Sequence, residues 1–334
     1  MKVLYAENVY PQLSESYIAA EVSSMLGLGV RIEVWSAHEP QSKYITPVVV
    51  HRATLQEAID QFKPDIIHFH FRTTLEPNLP LLAQLNLPVT LRGHSVDYSK
   101  PMLGRLLAHP WMRRAYLFPH FAEDYGDDPK VLAVPVGYDP GLYYPEKKDA
   151  RCVVRTGAGL SYKGLDDVPQ VAKLCPDFQF IMVISTCVFQ PESAYLDQLR
   201  ELNRSLGSPA EILVDLSHEK TASIVRRAGI FLHTHDPKAH PFGMPISTVE
   251  SMAAGCQLLL RRNPNAASYV APTSRFYDSI EEAAEFIRDT EGWTSAEWAR
   301  VRDDAVDHAV QFSDLKVYPA IYWDWCRILH GEQP

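Results

Sequence analysis

Short continuous apolar runs alternate with amphipathic stretches along this chain. Residues 2–7 (KVLYAE) read as a buried strand, 14–29 (SESYIAAEVSSMLGLG) as a helix capped by Ser14, and 30–36 as the next strand. The alternation continues through strand 48–53, helix 55–62, strand 65–71 (DIIHFHF), a helix over 77–85 and strand 88–94 (PVTLRGH). After shorter segments over 104–126 it reaches a strand at 131–137. Runs apolar at successive positions belong to strands covered on both faces, so the pattern predicts a parallel sheet flanked by helices.

The run 138–150 (YDPGLYYPEKKDA) breaks the apolar pattern and reads as a linker. Beyond it the same logic restarts, with strands at 151–157, 178–185, 211–216, 229–235 and 257–262 and helices at 164–174 and 193–207. Helical signals then run to the end, where the aromatic residues of 318–329 (YPAIYWDWCRIL) supply packing surface. The expected fold is α/β, with two Rossmann-like doubly wound domains over 1–140 and 151–313, followed by a helix over 314–330.

Composition fits this picture. A chain of 334 residues suits two domains, and 46% apolar with 22% charged residues is ordinary for a globular protein. A net charge of -9 and a pI near 5.8 argue against a nucleic-acid partner. Arg105, Arg113 and Arg114 form a local basic patch suited to peripheral membrane contact. The five cysteines are widely spaced, without a CxxC pair, and read as isolated buried thiols in the cytoplasm. The N-terminus has no long apolar stretch, and no later stretch reaches membrane-spanning length.

Open α/β sheets bind ligands at the carboxyl ends of their strands, and the chemistry-bearing residues fall there. In TGAGLSYKG (156–164), Gly157 and Gly159 bring backbone N–H groups toward a phosphate and Lys163 supplies the opposite charge. The segment is neither a P-loop nor a dinucleotide fingerprint, because Leu165 follows Gly164 and Ser185, not an acid, ends the next strand. In KAHPFGMPISTVESMAAGC (238–256), a turn at Gly243 and Pro245 leads into a short helix carrying Glu250, which suits a diphosphate at the helix start and a ribose diol at the carboxylate. His94, in RGHSVD (92–97), can hydrogen-bond a sugar hydroxyl. The pairs His68/His70 and His233/His235 each share a strand face, but neither has a nearby third ligand, so no metal is expected. Among nucleophile motifs, there is no G-x-S-x-G elbow and no cysteine in a recognisable setting.

Taken in order, PQLSESYIAAE (11–21), PDIIHFHF (64–71), RGHSVD, VPVGYDPGLYYPE (134–146), GAGLSYKG (157–164) and FGMPISTVESMAAG (242–255) resemble the landmarks of the retaining glycosyltransferase family 4. The resemblance spans nearly the whole chain. It implies the GT-B fold, two Rossmann-like domains facing a cleft with the C-terminal helix crossing back to the N-terminal domain. It also implies a nucleotide-diphosphate sugar donor, a glycan, lipid-linked or small-molecule acceptor, retained anomeric configuration, and no cofactor or metal.

Carried over by the resemblance, His94, Lys163, His240 and Glu250 are the catalytic candidates. Gly157, Gly159, Lys163, Phe242, Gly243, Met244, Pro245, Ser247 and Glu250 bind the donor, while Ser14, Glu15, Ser16, Arg92 and Asp97 flank the acceptor. The sequence departs from the family in three places. Ala158 stands where a phosphate-loop arginine is usual, and Pro241 or, anchored on Phe242-Gly243, His240 stands where a second glutamate is usual. RRNPNAA (261–267) replaces a Gly-rich turn, with Arg261 or Arg262 as a substitute cation. These departures leave a second reading open, a non-catalytic GT-B protein that binds a nucleotide or glycan and acts through a partner.

Overall fold

The computed structural model describes residues 1–39, 46–94, 100–186, 192–235, 244–263 and 266–331. They form two compact units. The first comprises Met1–Gly137, Met244 and the C-terminal segment from Asp314; the second comprises the remainder from Tyr138 to Ser313.

The first unit is built on a seven-stranded sheet. Its strands are β1 (Lys2–Val9), β2 (Arg31–His38), β3 (Val50–His51), β4 (Ile66–His70), β5 (Val89–Arg92), β6 (Met112–Leu117) and β7 (Val131–Ala133). They run in the order β3-β2-β1-β4-β5-β6-β7, with every neighbouring pair parallel. The helices are α1 (Ser16–Gly27), α2 (Leu55–Phe62), α3 (Arg72–Leu75), α4 (Leu79–Leu82), α5 (Lys100–Leu107) and α6 (Pro119–Ala122). The order reverses between β1 and β4, which makes their carboxyl ends the switch point of the sheet.

The second unit repeats the plan with six strands. They are β8 (Asp149–Ala158), β9 (Gln179–Ser185), β10 (Ala210–Val214), β11 (Ala228–His233), β12 (Gln257–Arg261) and β13 (Arg275–Tyr277). Their order is β10-β9-β8-β11-β12-β13, again parallel, with the switch point between β8 and β11. The covering helices are α7 (Asp167–Leu174), α8 (Glu192–Ser205), α9 (His218–Arg227), α10 (Ile246–Ala253), α11 (Ile280–Asp289) and α12 (Ser295–Ala309).

Local chemistry explains where the structure departs from the pattern. The first helix begins at Ser16, not Ser14, because a 3-10 turn over Leu13–Glu15 precedes it. Ser14 caps nothing; its Oγ accepts from Gln12 Nε2 at 2.8 Å. Of the helix expected over 77–85 only the short α4 forms, after a 3-10 turn at Glu76–Asn78, since Pro77 and Pro80 each remove a backbone donor. Helix α2, in contrast, keeps the predicted bounds, fixed by a capping box between Thr54 and Glu57. Strand β6 escapes the sequence pattern because MRRAYL carries two arginines within a buried run. Among the described residues, no helix is long and apolar enough to cross a membrane.

The last helix, α13 (Asp314–Leu329), belongs to the first unit. Val317, Tyr318, Ile321 and Trp325 join the core formed by Val3, Tyr5, Ile18 and Val22, and Trp325 is wholly buried. Tyr318 donates from its hydroxyl to Tyr17 O at 3.1 Å. On the same helix Asp324, fully buried, receives Arg114 of β6 through Nε and Nη2, both at 2.7 Å, and the Tyr116 hydroxyl at 3.0 Å. Arg114 is therefore a core residue and no part of a surface basic patch, whereas Arg105 and Arg113 are exposed.

Removing one partner of a buried ion pair strands the other charge. Asp324→Ala is expected to destabilise the first unit by about 3–5 kcal/mol, and the Arg114→Met/Asp324→Leu double variant to recover most of that loss. Urea unfolding of the three proteins checks this, and an Asp324→Ala chain as stable as wild type excludes the pair as an anchor.

Candidate functional site

In the second unit the site begins where β8 ends. The chain makes a 3-10 turn over Ser161–Lys163 and passes through Gly164 in the left-handed region, with φ 62°. A Cβ at position 164 would lie 2.3 Å from Thr234 O, just past the end of β11, so the close approach of the two switch-point loops requires glycine. Thr234 Oγ1 donates to Lys163 O at 2.8 Å and accepts from Arg155 Nε at 3.1 Å. Arg155 is 2% exposed and also bonds to Thr156 O. Burial pulls its guanidinium down to about 10, so it stays charged at neutral pH.

The loop's donors are used differently from the sequence expectation. The N–H of Gly159 goes to Ser185 O at 2.9 Å, that of Leu160 to Ala158 O at 2.8 Å, and that of Lys163 to Leu160 O at 2.9 Å. The Gly159 amide is thus satisfied by the protein. What the glycines provide is space: a Cβ at Gly157 would lie 3.2 Å from Arg155 Nη1, and one at Gly159 3.1 Å from Ile184 Cγ2. The positive charge beneath this loop comes from Arg155, two residues before Gly157. Burial, with Arg155 and Lys163 contributing, holds the His233 imidazole well below its usual range. Arg261 and Arg262 are already paired, with Asp167 at 2.7 Å and Asp278 at 2.8 Å.

Helix α10 supplies the second half of this site. Pro245, extended at its N-cap, offers no side-chain cap, and the first-turn amides of Ile246 and Ser247 have no partner within the helix by its geometry. Met244 is buried, and the Ser247 carbonyl accepts from the Ser251 hydroxyl at 2.7 Å. Glu250 is 7% exposed and hydrogen-bonds Tyr143. Burial and this carboxylate hold the Tyr143 hydroxyl well above its usual range. Tyr143 falls within the run read as a linker, yet it is 5% exposed and belongs to the second unit. His240, Phe242 and Gly243 lie outside the described residues.

In the first unit His94 follows β5 and is 6% exposed, packed against Tyr17 at 4.8 Å and Phe71 at 4.4 Å between ring centroids. Its Nε2 lies 3.1 Å from His70 Nδ1. Burial, then the neighbouring His70 and Arg92, hold its imidazole well below the usual range, so it is neutral at neutral pH. Arg92 donates to Pro135 O and lies over the Phe118 ring. Burial pushes the Glu15 carboxyl up to about 8. Ser14 and Ser16 flank it at the start of α1, and Asp97 lies outside the described residues.

One expectation is overturned here. His68 and His70 do have a nearby third ligand: Glu21 of α1, with the ligand atoms of all three within 4.8 Å of one another. Glu21 lies 47 residues before His68 in the numbering, so sequence proximity had no means of revealing it. Arg155 and Tyr143 were also passed over, although a lone arginine inside a buried strand run is a readable signal.

No protein-family model and no curated protein matches this chain. Solved structures do. HepE of Anabaena in complex with UDP and glucose superposes with a TM-score of 0.75 at 16% identity, over 97% of this chain and 98% of that one. Sucrose-phosphate synthase of Thermosynechococcus elongatus gives 0.78 at 13% identity, over 99% and 100%. A glycosyltransferase of Rickettsia africae gives 0.74 at 10% identity, over 98% of each chain. The chain has the fold of these proteins, GT-B, built from two parallel-sheet α/β domains.

Because position 164 combines positive φ with backbone contact, Gly164→Ala is expected to cost on the order of 2 kcal/mol or more. Gly104→Ala, in helix α5 with open space around it, is expected to stabilise by about 0.5–1 kcal/mol. Thermal unfolding of both variants tests the contrast; equal midpoints would refute the loop's dependence on glycine.

Proposed function

We propose that this protein is a retaining glycosyltransferase of family 4 type, moving a sugar from a nucleotide-diphosphate donor to a glycan, lipid-linked or small-molecule acceptor. The observation that carries this reading is the pairing, in one unit, of a cation-bearing loop at the sheet's switch point with a helix start followed by a buried carboxylate. As the glycosidic bond breaks, negative charge grows on the departing diphosphate. Lys163 and the N-terminal end of α10 oppose that charge, and so favour the transition state over the ground state. Arg155 holds the loop from beneath, fixing Lys163 O through Thr234. Glu250, oriented by Tyr143, accepts the ribose hydroxyls in charge-assisted hydrogen bonds.

In this scheme the first unit serves the acceptor. His94 contacts the reacting sugar, and Ser14, Glu15, Ser16 and Arg92 line the acceptor side together with Asp97. His240, Phe242 and Gly243 complete the donor contacts begun by Met244, Pro245 and Ser247. Attack from the same face as the departing phosphate oxygen needs no protein nucleophile, and the sequence supplies no evident one. HepE, which shares the fold, was solved with UDP, glucose and UDP-glucose, and that makes UDP the first nucleotide to try.

Calorimetry with UDP, GDP, ADP, CDP and dTDP tests the reading. One of them is expected to bind, and Glu250→Ala to weaken it by about 1.5–3 kcal/mol, roughly ten- to a hundredfold, through loss of charged hydrogen bonds. Lys163→Ala is expected to lower turnover of the matching donor on the order of 10²-fold. If no nucleotide binds, the chain is better described as a non-catalytic GT-B protein working through a partner.

A further inference from the structure

The first unit buries more carboxylate and imidazole than its hydrogen bonds account for. Glu7 of β1, Glu21 of α1, and His68 and His70 of β4 are each at most 1% exposed. Glu21 Oε1 lies 3.2 Å from His68 Nε2 and 3.4 Å from His70 Nε2. Both imidazole nitrogens thus crowd one oxygen of Glu21, which also accepts the Tyr5 hydroxyl at 3.2 Å. Neither oxygen of Glu7 has a hydrogen-bond partner, and its Oε1 stands 3.9 Å from His70 Nε2.

We propose that Glu21, His68 and His70 form a binding site for a divalent transition-metal ion, most suitably Zn²⁺. The spacing fits. Around a tetrahedral zinc with bonds near 2.0–2.1 Å, neighbouring ligand atoms sit about 3.3 Å apart, and the two measured edges to Glu21 bracket that value. The outer contacts fit as well. A histidine that ligates through Nε2 carries its proton on Nδ1 and donates it outward. His68 Nδ1 lies 2.7 Å from Thr90 Oγ1, and His70 Nδ1 lies 3.1 Å from His94 Nε2. Charge is complementary too, because the buried Glu21 carboxylate faces the ion and the Glu7 carboxyl stands nearby, 3.9 Å from His70 Nε2. Two imidazole nitrogens with one carboxylate oxygen favour zinc over magnesium or calcium.

Such an ion is structural. It clasps α1 to β4 at the switch point of the sheet. Through the His70 Nδ1–H it fixes the position of His94, which makes His70 a positioning residue for that ring. The ion lies behind His94 in the core and takes no part in sugar transfer, so the assignment stands or falls separately from the proposed activity.

The test is the metal content of untagged full-length protein, expressed with zinc supplied. Native mass spectrometry is expected to show one Zn²⁺ per chain, and chain refolded with Co²⁺ to show the visible absorption of a four-coordinate site. The zinc-loaded chain is expected to melt at a higher temperature than chain refolded in chelator. Glu21→Gln and His68→Gln are expected to lose the metal; should they fail to fold, X-ray absorption on the wild-type zinc protein reads the ligands directly, as two imidazoles with carboxylate oxygen. A folded wild-type chain of metal-free mass that takes up neither Zn²⁺ nor Co²⁺ overturns the proposal. So does a Glu21→Gln variant that keeps its zinc, or a ligand shell without two imidazoles and a carboxylate.

Discussion

A charge buried in an all-parallel sheet must find its partner on another element, because the strand's own backbone is committed to its neighbours. Arg114 shows how much follows from this. It sits in β6 and points into a core, where its Nη1 donates to Pro129 O and the carboxylate of Asp324 in α13, more than two hundred residues later, answers its charge with two parallel hydrogen bonds. That pair, reinforced by Tyr116 and by the burial of Trp325 and Tyr318, makes the C-terminal helix an integral part of the first unit. The unit's core is consequently built from both ends of the chain.

The same constraint shapes the candidate site in the second unit. Arg155 lies in β8 among apolar neighbours, and its guanidinium is satisfied by Thr234 and by backbone carbonyls of the loop above it. Satisfying the arginine locks the loop, and the locked loop uses its own amides. The glycines then act through their missing side chains: Gly157 makes room for Arg155, and Gly164 makes room for the carbonyl of Thr234. A loop that reads in sequence as a backbone cradle for phosphate commits its Gly159, Leu160 and Lys163 amides to the protein's own carbonyls. Glu250 obeys the same rule, being buried with its hydrogen bond to Tyr143.

In the first unit the accounting is left open. Glu7 has neither an ion-pair partner at short range nor a hydrogen bond, and two imidazole nitrogens crowd one oxygen of Glu21. Native cores seldom leave several polar atoms of one cluster unsatisfied. The cluster also adjoins His94, the ring that faces the reacting sugar in the proposed mechanism, so whatever satisfies it sets the geometry of that residue.

The order of strands and helices was legible in the sequence, because burial on both faces writes continuous apolar runs and turn residues punctuate them. Residues 55–62 were readable to their ends, since the Thr54/Glu57 capping box is local. That Lys163 and His94 follow strands and that Glu250 sits on a short helix was legible too, because local structure places such residues. The tertiary structure decided the rest. Strand β6 was obscured by Arg114, whose partner is far along the chain, and Ser14 lost its capping role to a 3-10 turn. Arg155 beneath the loop, Tyr143 against Glu250 and Glu21 beside His68 and His70 are all non-local pairings. Periodicity and spacing record which way a side chain faces; only the folded chain determines which distant group stands opposite it.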